Sequence, residues 1–133
     1  MGHYNLDRDI LRRLVVTYPA AAVAATNPQT ITIRTFTGHG SPLVAATPSQ
    51  VVHVKVSNVD IAGGATIAFA DVAGTIVSTG VISGAAVSGV YLLEFLPSVT
   101  GVVTFTATAA AAADARFTVR FGGAQTSGTV SWT

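Results

Sequence analysis

The stretch Ser88–Ala109, SGVYLLEFLPSVTGVVTFTATA, holds two alternating apolar runs, Val90 to Leu96 and Val102 to Ala107, on either side of a connection that opens with Pro97 and ends with Gly101. Alternation with period two, interrupted by Pro and Gly, is the pattern of two β-strands and the turn between them, so the stretch predicts two neighbouring strands. Tyr91, Leu93 and Phe95 share one face of the first run. Val90, Leu92 and Leu96 share the other with Glu94, so both faces are largely apolar, as a strand central to a sandwich requires. In the second run Val103, Phe105 and Ala107 are expected inward and Val102, Thr104 and Thr106 outward.

The same reading extends in both directions. Upstream, Ile31 and Ile33 alternate with Thr30, Thr32 and Arg34, and Val52, Val54 and Val56 alternate with His53, Lys55 and Ser57. Further strands are predicted over about 65–71 and 75–82, separated at Gly74. Downstream, the Ala109–Ala113 run reads as a connection. Phe117, Val119 and Phe121 then alternate with Arg116, Thr118 and Arg120 up to Gly122-Gly123, and Thr129 to Trp132 forms a last short strand. Seven to eight strands, punctuated at roughly ten-residue intervals and never alternating with helices, predict an all-β, antiparallel sandwich over residues 28–133.

The first 27 residues read differently. Leu6, Ile10, Leu11, Leu14, Val15 and Tyr18 fall on one side at helical spacing, Asn5 can cap, Asp7 and Asp9 favour the positive end, and Pro19 would stop the element. This predicts a helix over 5–18, followed by an Ala-rich linker to Asn27. Three readings of it stand: a helix lying on its own domain, an arm reaching a neighbouring subunit, or a secretory signal ending near Ala22-Val23-Ala24. Two acids in the leader and Tyr18-Pro19 inside the apolar segment weigh against the signal. If the segment is an arm, Leu6, Ile10, Leu11, Leu14 and Tyr18 are the residues expected at its interface.

Composition narrows the function classes. Of 133 residues, 50% are hydrophobic and only 10% charged, where ordinary soluble domains carry about a quarter charged residues. Mean hydropathy is +0.57, yet no run of about eighteen apolar residues occurs, so no membrane helix is expected. A surface so short of charge favours association with other subunits. A formal net charge of +1 and seven scattered Lys and Arg residues give no basic stripe, which argues against nucleic acid. The chain has no cysteine, which excludes disulfides, thiolate metal sites and a Cys nucleophile.

Motifs that carry chemistry are missing. His3, His39 and His53 are far apart and form no HxH or HExxH pattern, and no loop has EF-hand spacing, so no metal is expected. His53 and Lys55 are read as solvent-facing neighbours on one strand, and Glu94 as edge-exposed or paired with Arg116 or Arg120. The six acids suggest no glycosidase pair, and neither a GxSxG elbow nor a phosphate loop exists. The expectation is therefore a protein with no catalytic, cofactor-binding or metal residues.

The segment Gly89-Val90-Tyr91-Leu92-Leu93-Glu94-Phe95-Leu96-Pro97 followed by Gly101-Val102-Val103-Thr104-Phe105-Thr106 resembles the strand, proline, glycine, strand pattern of bacterial immunoglobulin-like and filamin-type modules. The likeness spans about twenty residues closely and lacks an aromatic at Val103, where those modules often place one. It implies an immunoglobulin-like sandwich and, by analogy with such modules in tailed bacteriophages, a virion accessory protein of the capsid-decoration or tail-associated kind. Its implied partners are copies of itself, a major capsid protein or a tail protein. The alternative is a secreted or cell-surface adhesion or carbohydrate-binding module, with Tyr91 and Trp132 as candidate ligand or interface aromatics.

Overall fold

A computed structural model describes residues 12–37, 41–42, 51–59, 64–83 and 89–133. In chain order the strands are β1 (Arg12–Thr17), β2 (Pro28–Thr37), β3 (Ser41–Pro42), β4 (Val52–Val59), β5 (Ile67–Ala73), β6 (Thr75–Ser83), β7 (Gly89–Leu96), β8 (Val102–Ala109), β9 (Ala113–Phe121) and β10 (Ala124–Trp132). They form two five-stranded sheets. The first runs β1-β2-β8-β5, with the short β3 also paired to β2; the second runs β10-β9-β4-β7-β6. Every strand pairing is antiparallel. The described residues are therefore all-β, as the alternating pattern requires, with β1 and β3 added to the seven to eight strands expected.

The connection expected to close a hairpin at Pro97–Gly101 does something else. β7 lies in the second sheet and β8 in the first, so these two strands face each other across the core. Gly101 N–H donates to Ser98 O at 2.9 Å, Ser98 N–H to Val102 O at 2.9 Å, and Gly101 takes a φ of 74°. The turn is as tight as the Pro and Gly suggested, but it redirects the chain between sheets. Periodicity finds strands and turns; it does not say whether two successive strands share a sheet.

Side chains from both sheets meet in a single apolar layer. Val52, Val54 and Val56, Leu93 and Phe95, Val103 and Phe105, and Phe117, Val119 and Phe121 are all buried, each on the face its alternation assigned. Phe105 is the hub. Its ring stacks on Phe95 at 4.7 Å and lies 6.3 Å from Phe117 and 6.2 Å from Phe69, the offset spacing that aromatic rings favour. In β4 the alternation slips once: Val56 and Val59, three apart, are both buried because Asn58 adopts a φ of 63° at a register shift. Asn is one of the few residues that enter this left-handed region at low cost.

Over residues 12–17 the expected helix is not formed. That segment is β1, paired to β2 from Arg12↔Thr37 to Thr17↔Thr32. Its sequence satisfies both periods, since Leu14, Val16 and Tyr18 also alternate, and Val15, Val16 and Thr17 are β-branched residues that favour strands. An open edge on β2 decides between them. The rest of the predicted helix, including Leu6, Ile10 and Leu11, lies outside the described residues.

Beyond β1 the Ala-rich segment crosses to the other sheet. Val23 forms a parallel bridge with Trp132, Ala25 N–H donates to Thr133 O at 2.9 Å, and Thr133 N–H donates to Val23 O at 2.8 Å. The buried Gln29 amide donates to Ala21 O and Ser131 O at 3.1 and 3.0 Å. Residues 12–27 are thus fastened to the sandwich at both of its sheets.

Candidate functional site

The two outer faces of the sandwich are chemically unlike. On the first sheet, cross-strand register aligns Thr17, Thr32 and Thr104 in one row, Thr30, Thr106 and Ala70 in the next, and Pro28, Thr108 and Ala68 in a third. Val102 lies opposite Arg34, and Val15 and Val72 stand exposed, Val72 at 67%. The three rows are uncharged and built of short hydroxyl and methyl groups, whereas the adjoining row holds the exposed Arg34 between Val15 and Val102, and Arg13 stands exposed beyond it.

The outer face of the second sheet gathers charge. One transverse row runs Gln125, Arg120, His53, Glu94, and the next runs Ser127, Thr118, Lys55, Leu92. Arg116 lies opposite Ser57 in the row after that. Residues directly opposite on neighbouring strands have Cβ atoms about 5 Å apart, so these side chains form one continuous patch. The first two rows, Ser127 excepted, line a shallow depression of about 590 Å³ in which Leu92 is exposed. His53 Nε2 lies 3.9 Å from a Glu94 oxygen, with both side chains about half exposed at 51% and 45%. Water screens such a pair, which contributes little to stability. Among the described residues, no carboxylate lies within ion-pair distance of Lys55, Arg116 or Arg120.

The residues singled out from sequence are distributed as follows. His53 and Lys55 project outward side by side, as expected, but Glu94 meets His53 instead of an arginine. Leu14 is half-buried against the core. Tyr18 lays its ring over Gly128, where an added Cβ would come within 2.6 Å of it, and its hydroxyl lies 3.1 Å from the Thr126 hydroxyl. Burial raises the Tyr18 phenol above its ordinary value of 10.0, and the Thr126 hydrogen bond offsets part of that rise. His3 and His39, like Leu6, Ile10 and Leu11, lie outside the described residues.

Tyr91 and Trp132 are not surface aromatics. They are 5% and 2% exposed. Tyr91 packs edge-on against Phe69 at 5.3 Å, and its hydroxyl accepts a hydrogen bond from Ile67 N–H at 3.0 Å. Trp132 Nε1–H donates to Asn27 O at 3.0 Å. Both spend their polar atoms on the protein's own backbone, which is what allows such large rings to be buried. Neither can contact a ligand from these positions.

What sequence reasoning missed is the convergence of Lys55, Arg116 and Arg120. The signal was present, since all three occupy outward positions of two clean alternating strands, but finding it required knowing that β4 and β9 are neighbours although some sixty residues separate them. Among the described residues no three His, Asp or Glu side chains cluster as metal ligands would. No family model matches the chain, and no curated protein matches it.

Proposed function

We propose that this chain is a non-enzymatic structural protein, an immunoglobulin-like domain that works by docking, in the role of a virion accessory subunit such as a capsid decoration or cement protein. The observation that carries the docking reading is the outer face of the first sheet, with its even rows of Thr and Ala and its exposed Val15 and Val72. The Thr and Ala rows lose little solvation when covered and contain no long side chains whose freedom would be lost, while Arg34 and Arg13 at one end of the face leave charge at its rim. Its partners in this reading are further copies of the chain, a major capsid protein or a tail protein.

Strand order supports the immunoglobulin-like part. The first sheet, β1-β2-β8-β5, follows the A-B-E-D order of constant-type immunoglobulin domains, and β10-β9-β4 follows their G-F-C order. The β6–β7 pair is then an insertion between the fourth and fifth strands of that scheme, widening the second sheet. The virion role rests on the resemblance of the β7–β8 segment and on the sparse charge. A secreted or cell-surface carbohydrate-binding module is the weaker reading, because the two aromatics it would use are core residues.

Docking through the N-terminal segment is tested by light scattering on the full chain and on a chain lacking residues 1–11, which leaves β1 intact. The proposal expects an assembly from the full chain and a smaller one after truncation. Two monomers at high micromolar concentration would remove self-association from it.

A further inference from the structure

The cations of the second sheet form a staggered run across two paired strands. Arg116 opposite Ser57, Lys55 opposite Thr118 and Arg120 opposite His53 occupy three successive outward rows of the paired strands β9 and β4. Outward positions repeat every second residue, about 6.6–6.8 Å along a strand, so the three charges span about 13 Å at even axial intervals, with Lys55 set one strand, about 5 Å, to the side of the two arginines. All three side chains are exposed, and among the described residues no carboxylate lies within ion-pair distance of them. Asp114 follows on the same face of β9, two residues before Arg116, and closes that end of the run. On the far side of β4 the one carboxylate, Glu94, is set against His53.

A staggered run of like charges with an axial period of two residues is matched by an extended polypeptide with carboxylates at alternate positions, lying along the β4–β9 seam, because its own side chains on one face repeat at the same interval and the long Lys and Arg side chains reach across one strand spacing. We propose that the outer face of the second sheet is a docking surface for an extended acidic segment of a partner protein. Its carboxylates would pair with Arg116, Lys55 and Arg120, with Arg120 able to hold one in the bidentate geometry of guanidinium and carboxylate. Thr118 and Gln125 flank the run with hydrogen-bonding groups, and Leu92 beside Lys55 offers an apolar contact to an intervening residue. Asp114 would repel a fourth acid and so set the register. The inference concerns the face opposite the one that carries the docking reading above, and it stands or falls separately.

The test is fluorescence anisotropy at low ionic strength with the full chain and three labelled probes: a peptide of alternating Glu and Thr, the same peptide with Gln for Glu, and an oligothymidylate of similar length. The proposal expects the Glu peptide to bind about ten-fold more tightly than the Gln peptide, the sum of three exposed pairs, and to weaken as salt rises. Lys55→Gln should weaken it about two- to five-fold, and the double variant Lys55→Glu, Arg120→Glu should abolish binding while thermal unfolding stays that of the parent chain. Equal binding of Glu and Gln peptides, indifference to the double variant, or oligothymidylate binding as tight as the Glu peptide would each overturn it; the last would mark a surface for polyanions in general.

Discussion

At Gly74 the chain passes from one sheet to the other within a single residue, since β5 ends at Ala73 and β6 begins at Thr75. Its φ is +80°, and a Cβ added there would lie 2.7 Å from the Leu96 carbonyl oxygen, which is backbone and cannot swing aside. Gly64 shares the left-handed conformation, at +86°, but has open space around it. The two positions separate backbone strain from collision. Gly64→Ala should cost only the conformational penalty, about 1 kcal/mol, and Gly74→Ala at least about 2 kcal/mol more, measured by urea unfolding. Tyr18 supplies a second residue-level prediction. Burial favours the neutral phenol, so the folded value lies above the ordinary 10.0. The stability this gives is fully present below pH 10 and is lost as pH rises through the folded value, because the unfolded chain ionises first. Alkaline denaturation of Tyr18→Phe should therefore show a shallower decline above pH 10 than the parent chain.

Among the elements, β1 shows what the sequence could and could not decide. Arg12–Thr17 fits a helix and a strand equally well on hydrophobic spacing, and the free edge of β2 resolves the choice, which no local pattern can express. Leu14 packs against the core from this strand. Leu14→Ala should cost about 1 kcal/mol, whereas a helix held away from the domain would give no loss; Cα secondary shifts of Leu14 to Thr17 should be those of a strand. By contrast, the inward faces of β4 as far as Val56, of β8 and of β9 were legible residue by residue, because one buried face and one wet face enforce alternation; Val59 was not, since the register shift at Asn58 breaks it. The same logic left the roles of Tyr91 and Trp132 open. An aromatic on an alternating strand has the same signature whether it faces a ligand or a core, and only the facing sheet tells them apart. The cationic run was hidden for a related reason: its members are close in sheet order and remote in sequence.

For the whole molecule, the asymmetry between the two outer faces is the feature from which the proposed roles follow. One face is mostly rows of Thr, Ala and Val with Arg34 and Arg13 towards one end, suited over those rows to covering by another protein surface; the other carries a short, regular run of cations beside a shallow depression. A chain with 10% charged residues has few to place, and three of its seven Lys and Arg residues stand in one run. The claim that the Thr- and Ala-rich face is where the protein associates is tested most directly by light scattering across a concentration series, comparing the parent chain with the double variant Thr106→Lys, Val72→Lys. Both positions are on the outer side of the first sheet, so the sandwich itself should be unaffected. The account predicts that the parent chain assembles above its 13.5 kDa monomer mass and that the variant stays monomeric. A monomeric parent at high micromolar concentration, or an assembly that the two lysines leave unchanged, would contradict it.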